Sequence, residues 1–201
     1  MSEPNKLPKS WLSCPKQSNN TIADTFVAFK IPLSSNFDTS VPEELRFNMQ
    51  NVLESVENSC NKKIGLIMDL SNSNGFYDPD SGVKQQNIKH VKILCKEHGD
   101  APSKEIAQQF IQNVESFTQT NPSDLIGVHC TLGYNRTGFL ICCYLIEKFG
   151  YTVDKAVALF AQVRPPGLYK QEFINELYKR YEPNSEVPIA PLLPNWETEF
   201  K

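Results

Sequence analysis

The 201-residue chain lacks long apolar runs and any regular spacing of its cysteines. No hydrophobic stretch approaches the ~18 residues that cross a bilayer, so the sequence predicts no membrane span. Its six cysteines are scattered, without a Cys-x-x-Cys pair or the Cys/His spacing of a zinc site. This predicts reduced thiols and no metal site. No apolar secretion signal opens the chain, and we therefore expect an intracellular protein.

Basic residues are too few for a broad nucleic-acid-binding surface. Twenty Lys and Arg against 23 Asp and Glu leave a net charge of −3. Because charge-driven binding along a nucleic acid needs a basic surface, this balance argues against it. The same charge balance still allows the protein to bind a nucleic acid by its charged end alone. No cluster of Lys and Arg resembles a nuclear import signal.

The hydrophobic pattern predicts strands that alternate with helices. Predicted strands cover 26–31, 64–70, 88–95 and 125–128. Predicted helices begin at Pro42, at Pro102, after the loop that follows 125–128, after Thr152 as N-cap, and near Gln171. We expect an α/β fold with a mostly parallel central sheet flanked by helices. One domain covers 1–183, and a Pro-rich linker or tail covers 184–201.

The most informative segment is 129–138, which places Cys130 and Arg136 at the two ends of a five-residue loop. A predicted strand precedes this loop and a buried helix follows it. Unpaired N–H groups and the helix dipole make such a turn an anion site. There a cysteine is held as a thiolate, and the planar guanidinium can clamp two phosphoryl oxygens. The segment therefore predicts phosphoryl transfer through a covalent intermediate.

Other residues of the segment fit this chemistry. Gly133 lies where the loop must turn sharply and where a side chain would block the bound oxyanion. Thr137 places a hydroxyl near the sulfur, where it can stabilise the thiolate as a leaving group. His129 either orients the loop through a ring N–H or is a satisfied core histidine. The predicted phosphate-binding positions are Thr131, Leu132, Gly133, Tyr134 and Asn135.

The Cys-x5-Arg-Thr pattern is the signature of the cysteine-dependent phosphatases. Further characteristic segments occur in order at 11–15, 76–78, 95–102, 126–130 and 160–170, with a tail at 191–196. With them the chain resembles, over nearly its whole length, the RNA 5′-triphosphatase domain of animal mRNA capping enzymes.

This resemblance implies metal-independent hydrolysis of the γ-phosphate of 5′-triphosphate RNA through a phosphocysteine, the first step of mRNA capping. It implies no cofactor, a nuclear location, and nascent RNA as the substrate. A guanylyltransferase domain in the same full-length protein and the RNA polymerase II machinery are the implied partners. Two positions depart from the family: Leu132 replaces its usual histidine, and Gly75 replaces a basic residue. Both changes are expected to affect contacts with the outer phosphates or the preferred 5′ end.

Two carboxylates are candidates for a general acid. Asp100 lies about thirty residues before Cys130, a spacing seen in related phosphatases. Its alternative role is in the N-terminal cap region of the helix predicted at Pro102. Asp69, at the end of a predicted strand, either points towards the site or accepts backbone N–H bonds. A diphosphate leaving group needs little protonation, so a weak acid would indicate a phosphoanhydride substrate.

Three cations, Lys96, Arg164 and Lys170, are candidate contacts to the β- and α-phosphates, or are ordinary surface charges. Arg164 precedes a rigid Pro-Pro-Gly turn that could hold its guanidinium in place. Glu197 and Glu199 resemble the paired glutamates of metal-dependent triphosphatases, but we interpret them as part of a solvated tail.

Several functional alternatives stay open. The nearest is a dual-specificity-type RNA phosphatase that removes both γ- and β-phosphates. A phosphotyrosine phosphatase is less favoured because no Trp-Pro-Asp segment occurs, and a phosphoinositide phosphatase because the loop interior has no Lys. A non-catalytic phosphate-binding module would explain only the presence of Leu132 in place of the family's usual histidine. The Lys-x-Asp-Gly motif of a guanylyltransferase is absent, so we expect either an excised domain or a stand-alone phosphatase.

Overall fold

A computed structural model describes residues 7, 9–95 and 100–198, without the side chains of Lys9 and Ser81. The candidates Lys96 and Glu199 lie outside these residues. The described cysteines are all free thiols. No helix of the described part is both long and apolar enough to cross a membrane.

A four-stranded sheet forms the centre of the fold, in the order β1-β4-β2-β3. Every neighbouring pair of strands is parallel, which confirms the prediction of a mostly parallel sheet. The central strand β4 is buried along its whole length because helices cover both faces of the sheet. The strands are β1 (Phe26–Phe29), β2 (Ile64–Asp69), β3 (Lys89–Lys92) and β4 (Leu125–His129).

Helices cover the two faces of this sheet unequally. Alternate residues of β1 point to opposite faces: Phe26 and Ala28 belong to the larger core, and Val27 and Phe29 to the smaller. Helices α3 to α6 cover the larger core, and α1 covers the smaller one together with the N-terminal segment. The helices are α1 (Met49–Cys60), α2 (Pro79–Gly82), α3 (Lys104–Thr120), α4 (Asn135–Phe149), α5 (Val153–Val163), α6 (Gln171–Tyr181) and α7 (Asn195–Thr198).

Two helices begin later than the sequence pattern predicts. The helix expected from Pro42 begins at Met49, because Asn48 and Asn51 bond reciprocally to each other's backbone N–H, both at 3.0 Å. This capping box starts the helix after a separate 3₁₀ turn. Helix α3 likewise begins at Lys104, where Ser103 caps it, and not at Pro102. Thr152 caps α5 as predicted.

The edge strand β3 is shorter than the predicted 88–95. It pairs only with β2, and beyond Lys92 one further backbone bond, from Ile93 to the Asp69 carbonyl, continues that pairing. The strand therefore ends when β2 ends. Residues 93–95 continue without regular structure towards the carboxyl edge of the sheet.

The chain after α6 returns to the carboxyl edge of the sheet. Gln171 fixes this return, because its side chain accepts a bond from the Ala190 N–H and donates one to the Pro188 carbonyl. Helix α7 then packs Trp196 against Tyr134 and Tyr169, with ring centroids 5.1 and 5.8 Å apart. The boundary at residue 183 stays a prediction, but the segment beyond it contacts the loop that follows β4.

Candidate active site

Strand β4 ends at His129, and a sharp loop joins it to α4 at the carboxyl edge of the sheet. Cys130 opens this loop and is buried, while Arg136 and Thr137 lie in the first turn of α4. Gly133 has φ of +72°, and a Cβ there would lie 2.1 Å from the Phe29 carbonyl oxygen. Only glycine fits this position, which explains how the loop turns tightly above the sheet.

The surroundings of Cys130 favour a thiolate. Burial by itself raises the pKa of this thiol, because the charged form is poorly solvated. Arg136, the Thr137 hydroxyl and the backbone N–H groups of Thr137 and Gly133 outweigh burial and bring the pKa below its usual value. A lower pKa increases the share of the thiolate, which is the nucleophilic form of cysteine.

Thr137 has an unused hydroxyl beside the sulfur. Its Oγ1 is buried and has no hydrogen-bond partner at normal geometry within the described residues. The same hydroxyl contributes to the lowered pKa of Cys130, so it lies near the sulfur without forming a full hydrogen bond. The unmet hydrogen bond leaves the hydroxyl free to donate to the sulfur when negative charge returns there.

Arg136 extends across the loop from the first turn of α4. Its Nη2 donates to the Thr131 hydroxyl at 3.0 Å, and its Nη1 donates to the Leu70 carbonyl at 3.3 Å. These two anchors fix the plane of the guanidinium between the loop and the end of β2. The remaining N–H groups are available for two oxygens of a phosphoryl group.

A cavity of about 100 Å³ opens above the loop. The cationic side chains that line it are Arg136 and Lys170, and the carboxylates are Asp100 and Glu197. Both signs of charge therefore face the position that a phosphate would take. The remaining lining residues are Cys130, Thr131, Leu132, Tyr134, Asn135, Tyr169 and Phe173.

Asn135 supports this cavity in a way that the sequence pattern does not reveal. Its Oδ1 accepts hydrogen bonds from the backbone N–H groups of Tyr169 and Lys170, both at 3.0 Å. The side chain thus ties the start of α4 to the segment that carries Lys170. That cation is exposed at the rim of the cavity as a result.

Arg164 does not lie where we expected a contact to the outer phosphates, and the structure corrects this expectation. Its side chain is only 1% exposed and lies behind the loop. Its Nε donates to the Gly133 carbonyl at 3.3 Å, and its Nη2 donates to the Leu132 and Pro15 carbonyls at 3.0 and 2.9 Å. Because these carbonyls turn towards Arg164, the residue supports the loop from below and does not line the cavity.

Asp69 also lies outside the cavity, contrary to its expected role as an acid. Its carboxylate accepts bonds from the Ser71 N–H at 2.8 Å, the Ser71 hydroxyl at 2.6 Å and the Lys92 ammonium at 2.8 Å. Burial raises the pKa of this carboxyl, but the hydrogen bonds from Lys92 and Ser71 and the positive charge of Lys92 lower it, and the net result is a pKa below its ordinary value. A carboxylate that stays ionised cannot donate a proton, and the alternative structural role describes Asp69.

Asp100 remains the expected candidate for a general acid. It is exposed and lines the same cavity as Cys130. It is not the helix cap, because Ser103 accepts the Ile106 N–H at 3.3 Å and begins α3. Its role in proton transfer stays a prediction.

Two residues of the C-terminal segment lie at the loop. Glu197, which we interpreted as part of a solvated tail, lines the cavity with Cys130. The sequence interpretation missed Trp196, which packs against Tyr134. The resemblance included Trp196, but nothing in the local pattern placed either residue beside Cys130. In the described ranges, no three His, Cys, Asp or Glu side chains are close enough together to hold a metal ion.

A parallel α/β sheet with this loop between its central strand and a buried helix defines the cysteine-phosphatase fold. The crystal structure of PTPMT1 in complex with PI(5)P shares it, with a TM-score of 0.61 at 12% identity, over 82% of this chain and 94% of that one. Residues 47–182 match the catalytic domain of the dual specificity phosphatases. The chain belongs to that family.

Two curated relatives are similar over most of the chain. The mRNA-capping enzyme of Mus musculus is 43% identical over 96% of this chain, which spans only about a third, 32%, of that enzyme. The RNA/RNP complex-1-interacting phosphatase homolog of Caenorhabditis elegans is 33% identical over 87% of this chain and 76% of that protein.

Proposed function

We propose that this domain hydrolyses the γ-phosphate of 5′-triphosphate RNA through a phosphocysteine at Cys130, without a metal ion. The observation that carries the proposal is the buried loop in which the lowered pKa of Cys130 coincides with the anchored guanidinium of Arg136. Similarity to a capping enzyme over 96% of the chain supports RNA as the substrate class.

In the first step, the Cys130 sulfur attacks the γ-phosphorus. An S–P bond forms, the bridging bond between the γ-phosphorus and oxygen breaks, and the diphosphate end of the RNA leaves with the electron pair. Arg136 and the loop N–H groups hold the γ-phosphoryl oxygens as their charge redistributes. In the second step, water attacks the phosphorus, the S–P bond breaks, and Thr137 donates to the returning thiolate.

The carboxylates around the cavity suit a phosphoanhydride substrate. Asp69 is ionised and bonded elsewhere. Asp100 is the one remaining acid that we predicted, and it lies exposed at the rim. An alcohol leaving group would need strong protonation, whereas a diphosphate leaves readily near neutral pH. We infer that the leaving group is a diphosphate.

The full-length protein is proposed to carry a guanylyltransferase domain, because the chain corresponds to only 32% of the mouse capping enzyme. Nascent RNA, the RNA polymerase II machinery and a nuclear location are parts of the same proposal. A second candidate is an RNA phosphatase that removes both γ- and β-phosphates. The chain covers 76% of the Caenorhabditis elegans phosphatase homolog, which supports a stand-alone RNA phosphatase as this candidate.

One assay distinguishes these candidates. The protein is incubated in chelator with RNA labelled at the γ- or the β-phosphate, and separately with a phosphotyrosine peptide. We expect rapid release of the γ-label and retention of the β-label. Fast release of the β-label would transfer the assignment to the second candidate, and preference for the peptide would contradict both.

A further inference from the structure

Behind the loop, a fully buried histidine contacts the nucleophile's own backbone. His129 Nδ1 lies 3.2 Å from the Cys130 carbonyl oxygen. A carbonyl oxygen can only accept a hydrogen bond, so Nδ1 must carry the hydrogen. Burial lowers the pKa of His129 and favours the neutral ring. In that neutral ring, Nε2 is therefore a bare acceptor.

Tyr77 supplies the donor that this bare nitrogen needs. Its hydroxyl oxygen lies 2.8 Å from His129 Nε2. Asp69 does not compete for the same nitrogen, because its Oδ1 is 3.8 Å away, beyond hydrogen-bond distance, and accepts from Ser71. The single hydroxyl hydrogen of Tyr77 is thus committed to His129.

His90 extends this series of hydrogen bonds on the other side of Tyr77. Its Nε2 lies 3.0 Å from the same hydroxyl oxygen. Because Tyr77 has already given its only hydrogen to His129, the bond from His90 must be a donation from Nε2–H. The hydrogens then run in one direction, from His90 to Tyr77, from Tyr77 to His129, and from His129 to the Cys130 carbonyl.

We propose that Tyr77 and His90 are positioning residues for the phosphate-binding loop, because they hold His129 in the one tautomer that can bind the Cys130 carbonyl. A fixed carbonyl fixes the peptide plane at the start of the loop. The N–H groups that follow then face the cavity. The inference rests on the proposed function only in taking Cys130 as the catalytic group.

The first test is the protonation state of the His129 ring. The chain has three histidines, so ¹⁵N ring signals of the full chain are readily assigned with single histidine variants. We expect His129 to show a protonated Nδ1 and a bare Nε2 in the unchanged protein. In Tyr77→Phe, this single tautomer should give way to a mixture. A protonated Nε2 with a bare Nδ1 in the unchanged protein would overturn the proposal.

The second test is activity, measured on p-nitrophenyl phosphate so that it does not depend on the RNA assignment. Tyr77→Phe keeps the edge-on ring contacts with His90 and His129, at 6.0 and 5.6 Å, and removes only the hydroxyl. We expect kcat/KM to fall about two- to tenfold, the worth of one net hydrogen bond. The control Tyr181→Phe loses a hydroxyl bond to Glu147, far from the loop, and should not change kcat/KM.

A pair of variants at His90 separates donation from packing. His90→Gln offers an amide N–H at the same reach and should keep kcat/KM close to its original value. His90→Leu removes the donor and should reproduce the loss seen in Tyr77→Phe. Equal activity for the Gln and Leu variants, or an unchanged His129 tautomer in both Tyr77→Phe and His90→Leu, would contradict the proposed series of hydrogen bonds.

Discussion

Arg164→Lys separates support of the loop from contact with the substrate. The guanidinium makes three hydrogen bonds to the Gly133, Leu132 and Pro15 carbonyls, and the side chain is buried. A single ammonium on a different stem can replace about one of them. Each bond to a charged donor contributes ~1.5–3 kcal/mol, so losing two costs ~3–6 kcal/mol before relaxation.

Relaxation and water entry recover part of this loss, and we expect a decrease of ~3 kcal/mol in the free energy of unfolding. For a domain of this size that corresponds to a fall in Tm of ~6–12 °C. The variant still folds, since domains are typically stable by ~5–15 kcal/mol. Because the loop carbonyls lose their anchor, kcat should fall together with stability.

Lys170→Met is the matched comparison, because the sequence suggested the same phosphate contact for both cations. Lys170 is exposed at the cavity rim, so its loss should change stability by less than ~0.5 kcal/mol. We expect it to raise KM for triphosphate RNA. Thermal unfolding and steady-state kinetics on both variants decide the question. An unchanged Tm in Arg164→Lys, with only KM raised, would refute the supporting role.

Three further substitutions examine the cavity itself. Arg136→Lys should lower kcat by about 10²–10³, because an ammonium cannot bind two oxygens in one plane, and a loss under ~tenfold would make Arg136 structural. Asp100→Asn should slow triphosphate hydrolysis by less than ~100-fold, and it should slow hydrolysis of an alkyl monophosphate by more. Equal losses on both substrates would contradict a diphosphate leaving group. Glu197→Gln should lower KM for triphosphate RNA about two- to fivefold, because it removes from the cavity a carboxylate with a buried, unpaired oxygen. A raised KM would contradict a repulsive effect of Glu197 on the substrate.

The sequence predicted the parts of the fold that depend on local pattern. Strands β1, β2 and β4 coincide with apolar runs, and β3 coincides with a segment in which polar and apolar residues alternate. The parallel arrangement follows from the alternation of strands with helices. The start of α1 was wrong by seven residues, from Pro42 to Met49. Apolar periodicity extends across that region, whereas the capping box of Asn48 and Asn51 sets the boundary. Glutamine or glutamate is the usual partner in such a box, so the pair of asparagines did not indicate in the sequence where the helix begins.

In the candidate site, too, the arrangement of residues that are close in sequence was predicted, whereas the placement of Arg164, which comes from a distant segment, was not. Cys130, Gly133, Arg136 and Thr137 lie within eight residues, and their spacing alone predicts how they converge. Arg164 differs, because its bonds to the loop and to Pro15 join segments far apart in the chain. A charged residue before a rigid turn gives no sign of the direction in which its side chain points.

The central claim is a covalent phosphocysteine formed from the γ-phosphate, and trapping it is the most direct test. The unchanged protein and Cys130→Ser are mixed with γ-labelled triphosphate RNA and quenched in acid within one turnover. We expect label on the unchanged protein at Cys130 and none on Cys130→Ser, which should fold normally and lack turnover because its hydroxyl is not ionised at neutral pH. Normal hydrolysis by Cys130→Ser, with no labelled protein in either sample, would contradict the account.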